Sequence, residues 1–235
     1  MSSIHNDTFL VSYPRSGNTW MRYLLANILR PNCSWHINNL NDVVPDIYQV
    51  SIENCTGSGV IKSHEPYTRN YNKVIYMYRD GRDVAVSYYN LSKTAFGFTG
   101  SFDDFLLAML TGGNVVGFGS WQEHVTGWLD AANTCYIFYV KYEDLCDNTV
   151  EIMEKLGRFM GKQIDKELIL SAIEKSTFNL QKEHVKQYSA YYNNGFRGGV
   201  KGGPGKWREV FSEDMNDFFW SYAGSIMTKL GYTKS

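Results

Sequence analysis

The chain has 235 residues, 43% hydrophobic and 15% aromatic, enough for a substantial core and against disorder. Its 23 basic residues offset 24 acidic ones for a net charge of −1, so no general polyanion-binding surface is implied and nucleic acid is not an expected partner. Cys33, Cys55, Cys135 and Cys146 lack C-x-x-C spacing, which excludes the common zinc arrangements and a dense disulfide framework and leaves reduced thiols.

In chain order, Met1–Asp7 is polar and lacks a secretory apolar stretch. No run approaches the ~18 apolar residues of a membrane span. A cytoplasmic protein without a membrane span is expected. Thr8–Ser12 reads as a buried strand. Trp20–Leu29 reads as a helix with Trp20, Leu24 and Ile28 on one face, stopped by Pro31. Residues 32–58, rich in Asn, Asp, Ser and Gly, read as a loop-rich excursion. Gly59–Lys62 is a short strand, and Val74–Tyr78 a continuous apolar one that suits burial on both faces. Asp80 reads as the N-cap of a helix through Val84–Leu91. Phe102–Leu110 and Trp121–Leu129 are helices, Tyr136–Val140 is a strand, and residues 149–161 and 165–175 are amphipathic helices. Residues 188–206 read as a long loop, and Ser212 caps a last helix running to about Leu230.

Strands alternating with helices predict an α/β protein. The expectation is one P-loop-like domain over residues 1–235, a mainly parallel central sheet with helices on both faces. The ligand should lie beyond the carboxyl ends of the strands.

Four segments carry chemistry. Tyr13-Pro14-Arg15-Ser16-Gly17-Asn18-Thr19-Trp20 joins the first strand to the first helix. Such a turn aims unpaired N–H groups and the positive end of a helix dipole at one spot, where phosphate or sulfate fits. Ser16, Asn18 and Thr19 add small donors, Gly17 lets the backbone come close, and Arg15 adds charge. The pattern differs from G-x-x-x-x-G-K-[ST], and no strand ends in an obvious magnesium-binding Asp, which disfavours a metal-dependent kinase. Tyr78-Arg79-Asp80-Gly81-Arg82-Asp83 leaves the end of a buried strand. Arg79 can fork two donors onto one phosphate, and Ser87 can aim a hydroxyl at the same group. Arg82 reads as a surface pair with Asp80 or Asp83, worth little. Lys62-Ser63-His64 offers a titratable base beside a cation, or an ordinary loop histidine. Phe196–Arg208, with its glycines and basic residues, can wrap an anion or be a surface loop.

Together and in this order, these segments resemble the cytosolic-type sulfotransferases that use 3′-phosphoadenosine 5′-phosphosulfate (PAPS). The match is Y-P-x-S-G-x-T-W, K-x-H, R-D-x-R-D-x-x-x-S, Y-E-D and K-G-x-x-G-x-W, over about residues 8–212. The style is closest to bacterial members acting on small natural products. The resemblance implies that Arg15, Ser16, Gly17, Asn18 and Thr19 hold the 5′-phosphosulfate and that Trp20 and Tyr142 contact the adenine. Arg79 and Ser87 would bind the 3′-phosphate, with Lys201 and Gly202 over it. Ser176 and Phe178 match a further nucleotide-contacting segment. His64 would be the catalytic base, with Lys62 and Arg15 offsetting charge. Two departures stand out. Arg15 occupies a position where members often carry Lys. Val200 occupies that of an arginine, which Arg197 would replace.

The expected function is thus direct in-line transfer of a sulfuryl group from PAPS, leaving 3′,5′-ADP (PAP), without a metal. The acceptor would be a small molecule, an apolar or aromatic alcohol or an amine. Phe96, Phe98, Phe102, Phe105, Phe118 and Trp121, with Tyr188, Tyr191, Tyr192 and Phe196, either line its slot or pack the core. The alternatives are a metal-dependent P-loop kinase and a non-catalytic adenosine-nucleotide-binding module. The oligomeric state, including a homodimer, is left open.

Overall fold

A computed structural model describes residues 7–55, 59–68, 71–113, 117–176 and 203–235. Four strands, β1 (Thr8–Ser12), β2 (Val60–Ser63), β3 (Lys73–Tyr78) and β4 (Tyr136–Lys141), form one sheet in the order β2-β1-β3-β4. Every pairing is parallel. Helices α1 (Asn18–Leu29), α2 (Ile52–Cys55), α3 (Gly81–Ala95), α4 (Phe102–Thr111), α5 (Trp121–Asp130), α6 (Tyr142–Asp147), α7 (Thr149–Phe159), α8 (Lys166–Lys175) and α9 (Glu213–Lys229) accompany the sheet, with short 3-10 turns at Leu40–Asp42, Ala131–Asn133 and Lys206–Glu209. Among the described residues no helix is long and apolar enough to cross a membrane.

The continuous apolar runs of β1 and β3 follow from burial on both faces. Leu10, Ile75, Met77 and Val140 pack with α1, α7 and α8. Phe9, Val11, Val74 and Tyr76 face the other way, with Trp128 of α5. Beyond that layer α3, α4, α5 and α9 enclose Tyr13, Phe105, Trp121 and Phe219.

The expected strands and helices are present with shifted ends, while the loop expected over 188–206 lies, up to residue 202, outside the described residues. Gly17 takes a left-handed conformation (φ 99°), so α1 opens at Asn18 rather than Trp20. Asp80 caps α3 by accepting from the Arg82 N–H, as read, and the helix runs on to Ala95. Helix α6 was not anticipated, being too short to show a 3.6-residue period. The excursion over 32–58 holds more order than its composition suggested. Pro45 O accepts from the Lys62 N–H (2.7 Å) and Lys62 O from the Ile47 N–H (3.2 Å), which extends the sheet past β2.

Arg82 is the clearest correction. It is no surface pair but is 2% exposed. Its guanidinium forks onto both Asp80 oxygens (3.0 and 2.8 Å) and donates to Asn216 Oδ1 and to the Lys234 and Thr233 carbonyls. It lies 3.6 Å from the Trp207 ring centroid and 5.5 Å from that of Trp220. Arg82 therefore ties the start of α3 to α9 and to the residues beyond it, with its guanidinium taken up by protein partners.

Candidate active site

The carboxyl ends of β1, β2 and β3 bring three of the four segments together. After β1 the chain turns through Arg15, the one described non-glycine residue with positive φ (72°). No side chain among the described residues caps α1, which leaves its first N–H groups to be met by a ligand or solvent. A Cβ on Gly17 would come within 2.5 Å of Tyr142 Cδ2. Gly17→Ala should therefore lose about 1–2 kcal/mol to left-handed backbone strain alone, and displace Tyr142 besides; thermal unfolding checks this.

The polar side chains of the loop divide their duties. Ser16 Oγ is buried without a hydrogen-bond partner among the described residues. Asn18, expected to face the ligand, instead turns its amide inward to Ser12 Oγ (3.2 Å). That bond fastens the loop to β1, and Asn18 has only its backbone N–H left to offer outward. Thr19 and Trp20 are half-buried on the first turn of α1.

Arg79 leaves β3 beside this loop. It donates to Gly203 O (3.2 Å), lies 3.5 Å from Asp83 and stacks 4.4 Å over the Tyr142 ring, while its buried Nε has no partner among the described residues. Tyr142 meets Trp20 edge-on (6.1 Å). Tyr142 thus stands between Gly17 and Arg79. The two cationic groups are not separate. Arg15 Nε donates to Ser87 Oγ (2.9 Å), the hydroxyl expected to serve with Arg79. Burial and the charge of Arg79 push the Arg15 pKa down to about 10. Two guanidinium groups that repel each other in a partly desolvated place make a receptor for anionic charge.

Ser176 is not with this group. It is buried, and its Oγ accepts from Asn27 Nδ2 (3.3 Å) near the far end of α1. Phe178, Arg197, Lys201 and Gly202 lie outside the described residues, as do Tyr188, Tyr191, Tyr192 and Phe196.

His64 follows β2. Its Nδ1 sits 2.7 Å from the Ser12 carbonyl, which can only accept, so Nδ1 carries the proton and Nε2 keeps a free lone pair. Burial, and then the nearby Lys62 charge, hold the pKa well below 6.5, so the ring is neutral. Ser12 serves twice: its carbonyl orients His64 and its hydroxyl receives Asn18. Lys62 is buried and paired with Asp46 (2.8 Å), which leaves it two further N–H donors. Its pKa is lowered by burial, against the pull of Asp46.

Three neighbours escaped the sequence reading. Tyr48 stacks on His64 (centroids 6.4 Å, 15°) under the Lys62 ammonium (5.2 Å). Neither Asp46 nor Tyr48 shows a periodic signal within 32–58. His124, on α5, donates from Nε2 to His64 O (3.1 Å) and accepts from the Tyr76 hydroxyl at Nδ1 (3.1 Å). Of the six aromatics considered between residues 96 and 121, only Phe118 meets His64 (5.6 Å) and Tyr48 (5.5 Å). Phe105 and Trp121 are core, Phe98 and Phe102 pack around Tyr89, and Phe96 is exposed.

Burial pushes the His124 pKa down to about 4. The unfolded chain, at its ordinary 6.5, takes up that proton first as pH falls. The stability is complete above about pH 6.5 and is lost between there and about pH 4, on the order of 3 kcal/mol at the lower end. Denaturant unfolding at stepped pH should show this loss, and His124→Gln should remove its share while the share of His64, whose pKa is also lowered, remains.

The sulfotransferase domain profile matches residues 5–231. The chain belongs to the sulfotransferase family. Mouse Sulfotransferase 4A1 is 28% identical over 232 residues, covering 91% of this chain and 78% of that relative. The rabbit Amine sulfotransferase is 28% identical over 254 residues, covering 91% of this sulfotransferase and 82% of the relative. The fold resembles mouse SULT7A1 complexed with PAP (TM-score 0.72, 22% identity, 97% of this chain and 86% of that one). It also resembles retinol dehydratase complexed with androsterone and PAP (TM-score 0.73, 21% identity, 94% and 80%).

Proposed function

We propose that this sulfotransferase moves a sulfuryl group from PAPS to a hydroxyl or amine of a small acceptor, with His64 as general base. One observation carries the reading: Ser12 fastens both the neutral, Nε2-free His64 and the anion-receiving loop, so base and sulfuryl donor meet at one strand end. The residues fit the cofactor. The buried Ser16 Oγ and Arg79 Nε, without partners among the described residues, are donors whose acceptor an anion would supply.

Arg15, Ser16, Gly17, Thr19 and the backbone N–H of Asn18 would hold the 5′ end, Arg79 and Ser87 the 3′-phosphate, and Trp20 with Tyr142 the adenine. Lys201, Gly202, Arg197 and Phe178 keep the roles that the family motifs imply. For Ser176, burial against Asn27 supports a structural duty instead. PAPS supplies the activated sulfuryl group and a phosphate leaving group. His64 Nε2 receives the acceptor proton. The free donors of Lys62 and the charge of Arg15 offset negative charge on the transferring group. Because Arg15 does not deprotonate in practice, it acts by charge and hydrogen bonds and not as an acid.

Tyr48 and Phe118 flank His64 and suit an apolar or aromatic alcohol. The androsterone bound to the structural neighbour is of that kind. The single-domain organisation over residues 1–235 rests on the family match to 5–231. The free, exposed Cys33 suits a reducing cytoplasm. A homodimer is left to sedimentation measurements. Calorimetry tests the cofactor: PAP should bind at least tenfold more tightly than AMP, and equal affinity would refute the reading. An acceptor screen with a labelled sulfonate donor then tests transfer. Since His64 titrates below its ordinary value, the acid limb of kcat/KM should fall below pH 6.5.

A further inference from the structure

We infer that Asp83, in the first turn of α3, is a positioning residue for recognition of the 3′-phosphate. The inference rests on the PAPS reading above and assigns a duty that the family motifs leave blank. Asp83 and Asp80 have the same spacing from neighbouring arginines in the sequence, yet they do different things. Asp80 takes Arg82. Asp83 is 2% exposed and turns to the chain that returns from the glycine-rich segment.

Its Oδ2 accepts from the Gly205 N–H (2.7 Å) and its Oδ1 from the Trp207 N–H (2.9 Å). Gly205 has φ 81° and opens the short 3-10 turn Lys206–Glu209, so the two N–H groups converge on one carboxylate. Arg79 lies 3.5 Å from the same Oδ2 and donates to Gly203 O (3.2 Å). One buried carboxylate thereby holds the returning backbone and the phosphate-binding arginine in register, and Arg79 Nε has no partner among the described residues. Asparagine is almost isosteric, but it places an NH2 against a backbone N–H, so one of the two anchors is lost.

The test compares PAP with AMP, which lacks the 3′-phosphate, by calorimetry on the full chain. For Asp83→Asn we expect PAP affinity to fall about tenfold while AMP affinity stays within twofold. Equal losses for both nucleotides would show a merely structural role and overturn the assignment, as would unchanged PAP binding. Should Asp83→Asn not fold, Asp83→Glu is the second variant. It keeps the charge but moves the oxygens, so the same selective loss supports the inference and an equal loss overturns it. A wild type that binds PAP no better than AMP would refute the function itself and this assignment with it.

Discussion

Replacing His64 by alanine is expected to slow sulfuryl transfer by about 10²–10⁴, the usual worth of a positioned general base. PAP affinity should stay close to that of the parent. The reason is geometric. The bond from His64 reaches the Ser12 carbonyl, whereas Asn18 holds the phosphate loop through the Ser12 hydroxyl. Removing the imidazole leaves that second bond in place. The position of the main chain at His64 is also kept, because its carbonyl accepts from His124. Steady-state rates on the identified acceptor, with PAP titrations alongside, decide the matter. A variant that turns over like the parent would remove His64 from the chemistry.

Arg82→Ala is expected to destabilise the fold by about 3–5 kcal/mol, the range for removing one partner of a buried ion pair. In a chain of 235 residues that corresponds to roughly 10 °C in Tm. Asp80 would keep the backbone N–H of residue 82 but lose two charged donors. The Thr233 carbonyl would lose its donor, the Lys234 carbonyl would keep only that of Asn216 Nδ2, and the indoles of Trp207 and Trp220 would lose their cation. Arg82→Lys should recover only part, since an ammonium cannot fork onto a carboxylate and stack at once. Thermal and denaturant unfolding measure the loss. A change under about 1 kcal/mol would mean that the buried pair only breaks even against its desolvation. Because Asp80 also caps α3 and its N–H donates to Glu143, beside Tyr142, weaker PAP binding in Arg82→Ala is expected to accompany the lost stability.

Short-range patterns made much of the molecule legible. β1 and β3 read as buried strands because burial on both faces demands unbroken apolar runs. Asp80, Ser101, Ser120 and Ser212 each cap a helix, and two of these were visible as caps in the sequence. The Gly17 turn, Arg79 and His64 were legible because each stands next to the end of a strand, where an α/β sheet places ligands. These features depend on neighbours a few residues away, and a single chain displays them in order.

Pairings between distant segments were not legible. Nothing local distinguishes Asp80 from Asp83, yet packing against α9 gives one to Arg82 and the returning chain gives the other to the Gly205 and Trp207 N–H groups. Asp46 and Tyr48 sit in a stretch whose composition says loop. They reach Lys62 and His64 only because that stretch adds to the edge of β2. His124 looks like one more residue on an amphipathic helix until α5 is laid across Tyr76. Local propensity and motif order thus decided which elements form and which strand ends carry the proposed site. The choice of partner for each buried charge was left to the packing of the sheet and its helices, since desolvation makes a buried charge take whichever counter-charge or hydrogen-bond partner the fold brings within about 3 Å.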